Sequence, residues 1–212
     1  MNISILCTVP NHPVVEYLVM WKKTMEESGH TTKIHHDKDE LSGGDLLFLV
    51  SCGQIIGVEQ RNLYAATLVL HASDLPSGRG WSPHIWSILE GQNRIVVSLL
   101  EAADSIDSGD IWLKKEFILQ GNELLPEINR VLFQTELDLM SEAVSRFKDI
   151  EPRKQSGDPG PYLRLRTPSD SELDPMLSIG DQFNLLRVVD SERYPAYFVF
   201  KGKRYILKVE EA

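Results

Sequence analysis

The sequence predicts an α/β protein: a Rossmann-like, mostly parallel sheet with helices on both faces, followed by a small C-terminal helix and β-hairpin extension. Three observations carry this expectation. Apolar runs of strand length alternate with helix-spaced segments through the amino-terminal half, which is the order crossover connections require. A polar stretch rich in proline and glycine, Glu151 to Pro161, follows a long helical segment and has a linker's composition. Lys201-Gly202-Lys203 lies between two apolar runs and reads as a hairpin turn. The expected organisation is a core over residues 1–150, a linker over 151–161 and an extension over 162–212.

Asn2 to Cys7 is a short apolar run of strand length, and Asn11-His12-Pro13 then starts a helix in which Val14, Tyr17, Leu18 and Trp21 share one face. Gly29 stops it. Thr31 to His35 is a second strand, and a turn at Ser42-Gly43-Gly44-Asp45 leads into the very apolar Leu46 to Val50. After the glycine-bounded segment Ser51 to Gly57 comes the strand that ends at His71. Ser82, a good cap, and Pro83, suited to a first helical turn, predict a helix that ends near Gly91. Ile95 to Leu100 and Ile111 to Ile118 are the next strands. Leu125, Ile128, Leu132, Met140, Val144 and Phe147 recur at helical spacing between Glu123 and Asp149, which predicts one long amphipathic helix or two in series. A last helix is expected from Ile179 to Val188.

Composition narrows the function classes. With 212 residues, 42% hydrophobic and 25% charged, the chain suits one core-forming domain with an appendage. A net charge of −9 argues against a nucleic-acid partner, because phosphate binding rests on clustered Lys and Arg. No window approaches the ~18 apolar residues of a membrane span, and the amino terminus has no secretory pattern, so a cytoplasmic protein without a membrane partner is expected. Cys7 and Cys52 offer neither a disulfide framework nor metal spacing. His35 and His36, adjacent on a strand, point to opposite faces, so no metal site is expected there. No Gly-rich phosphate motif is present. Homodimerisation is left open.

Two loops carry the chemistry. In Leu68 to Pro83 a strand ends in His71 and gives way at once to a loop fixed by proline and glycine, which aims an imidazole out of the sheet where open α/β folds place ligands. The second loop, Leu99 to Asp110, is rich in carboxylates and is expected at the same sheet edge.

His71-x-Ser73-x-Leu75-Pro76, then Arg79-Gly80-x-x-Pro83, then Asp107-Ser108-Gly109-Asp110, together resemble the core of the N10-formyltetrahydrofolate-dependent formyltransferases. The segments Arg166 to Asp174 and Tyr194 to Phe198, with the hairpin, resemble the tail of members that act on nucleotide-linked amino sugars. The resemblance covers most of the chain from Ser51 onward and implies N10-formyltetrahydrofolate as formyl donor. It implies His71 and Asp107 as catalytic residues. Folate-binding positions would be Gly53, Gln54, Ile55 and Ile56 with Ala102, Ala103 and Asp104. Ser73, Gly80, Trp81, Ser82 and Arg166 would bind the nucleotide-sugar substrate, Arg166 on a phosphate and Trp81 or Tyr162 on a uracil.

Formyl transfer needs a neutral amine, an oxyanion donor and a proton for the departing folate nitrogen. An imidazole titrating near neutral pH can move that proton or stabilise the oxyanion, and Asp107 would orient it. The sequence departs from the family at Val69, where the family carries an asparagine that donates to the oxyanion; either Gln54 or a backbone amide substitutes, which is the favoured expectation, or His71 alone holds the oxyanion, or catalysis is lost. The loop variant Asp74 to Pro83 resembles the pseudaminic-acid branch, whose acceptor is a UDP-linked 4-amino-4,6-dideoxy sugar. Two alternatives stand beside it: hydrolysis of formyl-folate, and a catalytically degenerate folate-binding module. Formylation of initiator tRNA is disfavoured by the acidic balance and the short tail.

Overall fold

The computed structural model describes residues 1–212. A six-stranded sheet is built from β1 (Asn2–Leu6), β2 (Thr31–His35), β3 (Gly44–Leu49), β4 (Tyr64–His71), β5 (Arg94–Glu101) and β6 (Ile111–Ile118), in the spatial order β2-β1-β3-β4-β5-β6. β2, β1, β3 and β4 run parallel, while β5 pairs antiparallel with β4 and β6 antiparallel with β5. The parallel half is buried and reads as near-continuous apolar sequence, as at Leu46 to Leu49.

The helices are distributed unequally over the two faces. α1 (Val14–Glu27), α3 (Pro83–Leu89) and α4 (Leu125–Ser145) cover one face, where Leu18, Trp21, Ile88, Leu132 and Met140 pack on Ile5, Phe48, Leu68 and Val97. The other face carries a small cluster, Leu6, Leu47, Leu49, Ile56 and Tyr64, and the only helix between β3 and β4 is the one-turn α2 (Val58–Arg61). That face is where a ligand can approach the sheet.

Several sequence expectations change in detail. Between Glu123 and Asp149 there is a single α-helix, α4, which Pro126 and a hydrogen bond from Leu124 N to Glu127 Oε2 (3.0 Å) start. Ser82 stands at the N-cap of α3 but does not cap it: its backbone is left-handed (φ 47°) and its hydroxyl makes no capping bond. The close glycine and proline neighbours set that turn instead. The expected 179–188 helix shrinks to α5 (Phe183–Arg187) behind a 3-10 turn at Gly180–Gln182, where the Gln182 amide bonds Asp174 N and O and the Asp174 carboxylate accepts from Met176 N. A second sheet joins β7 (Glu172–Leu173), parallel to β8 (Ala196–Phe200), and β9 (Lys203–Leu207), antiparallel to β8.

Residues 151–161, read as a linker, are bound along the core. Arg153 and Ile111 exchange two backbone hydrogen bonds (2.7 and 2.8 Å), and Leu163 forms a bridge with Gly80. The extension folds back over α3: Trp86 Nε1 donates to Arg164 O (3.2 Å), and the Arg164 guanidinium lies 5.1 Å from the Trp86 ring centre. Arg187, fully buried, donates to Asn93 Oδ1 (2.7 Å) and pairs with Glu123 (3.3 Å). No helix is long and apolar enough to cross a membrane.

Candidate active site

The site forms because β4 ends between two loops of opposite origin. His71 leaves the sheet at the end of β4 and is almost fully buried. Its Nε2 donates to Gly78 O (2.8 Å), and its Nδ1 lies 3.6 Å from Asp107 Oδ1. Both neighbours are acceptors, so each ring nitrogen finds a partner only when it carries a proton. An incoming substrate atom must therefore replace one of these contacts before the ring can pass it a proton.

Asp107 reaches His71 by an unexpected route. Because β5 is antiparallel to β4, its loop starts level with the middle of β4, where Ala102 N donates to Thr67 O (2.8 Å). The loop does not open at the same sheet edge as His71; it runs back over the open face, beside Val69. Asp107 adopts φ 54°, a left-handed conformation that aspartate tolerates better than most residues. Its Oδ2 accepts from Gly80 N (2.9 Å), which ties the two loops together. Gly109 makes the return possible: a Cβ there would lie 1.9 Å from Glu101 O.

The loop has a second anchor that sequence reading missed. Gln155, inside the supposed linker, donates through Nε2 to Asp107 O (2.9 Å) and Gly109 O (2.8 Å), and its Oε1 accepts from Arg79 Nη2 (3.1 Å). One amide thus fixes both the carboxylate loop and the His71 loop. Nothing in the sequence marks it, since its partners are backbone carbonyls distant along the chain.

Around His71 opens a cleft of about 650 Å³. On the open sheet face its wall is Gly53, Gln54, Ile55, Ile56, Val69, Ala102, Ala103 and Asp104, so all the positions expected to contact folate border one cavity. Ile56 is buried against the sheet while Ile55 is 73% exposed. Gln54 is not aimed at His71, as an oxyanion donor would be: its Oε1 accepts from Lys38 N (3.0 Å) and its Nε2 faces Asp37 Oδ2 (3.4 Å). The loop after β2 therefore holds the amide that was expected to replace the asparagine missing at Val69. Asp104, at the far end, is paired with Arg61.

Gly80, Trp81, Ser82 and Arg166 also border the cleft. Gly80 is conformationally obligatory, with φ 113° and Leu163 O only 2.3 Å from where a Cβ would stand. Trp81 is 43% exposed, and its ring edge faces Gly53 across the opening. Arg166 does not present a free fork: Nη2 already donates to Asp170 O (2.9 Å), while Nε is buried without a partner. Ser73, expected to bind substrate, does not reach the cleft. It is buried below the loop, where the missing side chain of Gly78 makes room for it, and its carbonyl accepts from Ser98 Oγ (2.7 Å).

The remaining wall is polar and was also missed. His12 in the turn before α1, His84 on α3 and Glu136 on α4 border the same cleft, with Asn129 and the tail residues Arg193 and Tyr194. Burial pushes the Glu136 carboxyl up to about 8, and burial followed by the neighbouring His71 and His12 brings His84 down to about 4. The sequence did hold one signal, since Glu136 stands between Leu132 and Met140 on the apolar stripe of α4.

An imidazole and a carboxylate held together beside a cleft of this size are equipped to orient a bound substrate and move a proton to or from it. The sequence profile of the formyl transferase family matches residues 10–144, and the chain belongs to that family. Among relatives, methionyl-tRNA formyltransferase of Clostridium acetobutylicum is 27% identical over 172 residues, 79% of this chain and 54% of that protein. The chain spans about half the length of such relatives. The structure of methionyl-tRNA formyltransferase from Clostridium thermocellum superposes with a TM-score of 0.84 at 26% identity, covering 100% of this chain and 93% of that one. Two others share the fold. HypX from Aquifex aeolicus in complex with tetrahydrofolic acid has a TM-score of 0.80 at 22% identity (99% of this chain, 37% of that one). A sugar N-formyltransferase from Shewanella sp FDAARGOS_354 has 0.74 at 18% (100% and 98%).

Proposed function

We propose that the protein transfers a formyl group from N10-formyltetrahydrofolate to the amine of a nucleotide-linked amino-dideoxy sugar. The observation that carries this reading is the shared cleft: the His71–Asp107 pair lies between an open-face wall that includes Gly53 to Ile56 and Ala102 to Asp104 and a second wall to which the folded-back tail contributes Tyr162, Arg166, Thr167 and Tyr194. The open-face wall suits a flat, polar-edged pterin, because Ile56, Val69 and Ala102 supply apolar surface beside the exposed loop residues 103–106. Bound there, folate supplies the activated formyl group.

The chain's residues do the rest. Asp107, fixed by Gly80 and Gln155, orients the imidazole. His71 takes the proton lost by the attacking amine and returns one to the departing folate nitrogen, exchanging its contact with Gly78 as it does so. With valine at position 69 and Gln54 held elsewhere, the negative charge on the formyl oxygen is balanced by the ring of His71 once it has taken the amine's proton. Two exposed aromatic rings at the mouth, Trp81 and Tyr162, offer stacking surfaces for a nucleobase. A cytoplasmic setting and a UDP-linked 4-amino-4,6-dideoxy sugar of the pseudaminic-acid type belong to the same proposal.

Formylation of methionyl-tRNA is the second reading, favoured by the identity of the sequence relatives. The net charge of −9 disfavours it, since a tRNA acceptor would be steered and held by clustered cations. The two are separated by measuring tetrahydrofolate release from N10-formyltetrahydrofolate with UDP-linked 4-amino-4,6-dideoxy sugars, free amino sugars and charged initiator tRNA. Turnover with the nucleotide sugar and little with the others is expected. Faster formylation of the tRNA, or release equally fast with water alone, would overturn the assignment.

A further inference from the structure

The polar wall opposite the folate side is not used by the chemistry at His71 and Asp107. Glu136 is 7% exposed and its Oε2 has no hydrogen-bond partner. His84 likewise has a buried, unpartnered Nδ1. His12 accepts from Val14 N at Nδ1 (3.2 Å), so its proton sits on Nε2. These three side chains come from the turn before α1, from α3 and from α4, and all border the cleft that holds His71. Buried polar atoms are normally paired, and two orphans on one wall of one cavity mark a place where a ligand supplies the partners.

We propose that His12, His84 and Glu136 form the acceptor subsite, and that it holds an uncharged ring face bearing hydroxyl or amide groups beside the reacting amine. This deepens the amino-sugar reading and rests on it. No Lys or Arg pairs with Glu136, and at neutral pH both its carboxyl and the His84 ring are uncharged for the reasons given above. A carboxylic acid and a neutral imidazole each offer one donor and at least one acceptor. That set matches a pyranose hydroxyl or acetamido group and leaves a phosphate or a carboxylate without a cation. It also disfavours a methionyl side chain, which would leave each of those atoms orphaned. Arg193, whose charge is felt at His12, is already engaged by Asp190.

The test compares Glu136→Leu, Glu136→Gln and His84→Leu with the parent. Each is assayed with the amine the parent formylates fastest, and thermal melting confirms that the fold survives. Glu136→Leu and His84→Leu should raise the acceptor KM at least tenfold while leaving the KM for N10-formyltetrahydrofolate within twofold. Glu136→Gln, which keeps one donor and one acceptor, should stay within threefold of the parent in acceptor KM. An unchanged acceptor KM in both leucine variants, with the parent active on the nucleotide sugar, overturns the subsite and spares the amino-sugar reading. A parent whose best acceptor is a methionyl amine overturns both. A folate KM that rises in parallel moves these residues to the donor side and overturns the proposal.

Discussion

At the scale of single residues the site depends on holding one strained aspartate. Asp107 sits in a left-handed conformation, and Gln155 bonds the carbonyls on either side of its turn. Asp107→Ala should lower turnover by at least ~10²-fold with the fold intact, because the imidazole loses its orienting partner. Gln155→Ala should lower kcat by about tenfold and leave the folate KM nearly unchanged, since the loop loosens without losing its folate-facing residues. Steady-state kinetics on both variants checks this; a Gln155→Ala enzyme with parental kcat would remove Gln155 from positioning. The meeting of His71 and Asp107 was legible because their local motifs are dense. Gln155 was not, because its contacts lie across the fold, and His84 was not, because only the folded chain brings it to the cleft; Glu136 left one trace, a carboxylate on the apolar stripe of α4. Ser73 misled for the opposite reason: it sits inside the motif, yet the turn folds it under the loop.

At the scale of elements, the alternation of strands and helices was readable from Asn2 to Leu70, where β1 and β3 are largely buried on both faces and the edge strand β2 alternates. The reversal at β5 was not, because an apolar strand carries no mark of its direction, and only pairing with Leu68 to His71 decides it. That reversal converts the segment 102–110 from a crossover into a hairpin loop, and the loop closes only if Gly109 has no side chain. Gly109→Ala should therefore abolish activity by displacing Asp107, while lowering stability by only about 1–3 kcal/mol, since the loop can peel away from the sheet. A crystal structure or activity assay showing Asp107 undisturbed would contradict this. The extension is pinned by a charge with no access to water. Arg187→Ala should cost about 3 kcal/mol, because Glu123 and Asn93 lose their partner and a cavity opens beneath α5. Denaturant unfolding measures it.

At the scale of the whole molecule, two titratable groups on the cleft wall, the buried Glu136 and the half-buried His84, tilt stability in opposite directions with pH. Glu136, raised from 4.5 to about 8, keeps its proton in the folded state while the unfolded chain releases it, so stability falls as pH rises through that window. His84, lowered from 6.5 to about 4, refuses a proton that the unfolded chain accepts, so stability falls as pH drops through that window. Each contributes on the order of a few kcal/mol across its range. Glu136→Gln should melt with the parent near pH ~4 and above it by pH ~8, whereas His84→Gln should gain on the parent only below pH ~6. Calorimetry across pH checks both slopes; a Glu136→Gln variant that loses ground as pH rises would reverse the sign.

The parallel bridge between Gly80 and Leu163, with Gln155 spanning Arg79 and Asp107, has a consequence for how the protein comes into being. Contacts separated by 48 and 76 residues close late, after the local sheet pairings that cost less chain entropy. During synthesis, the amino-terminal sheet can assemble while the bonds that hold His71 and Asp107 in register still await chain that has not been made. A nascent chain stalled before Gln155 would be a sheet with its two chemical groups out of step, brought into register only when residues 153–163 bind along the core.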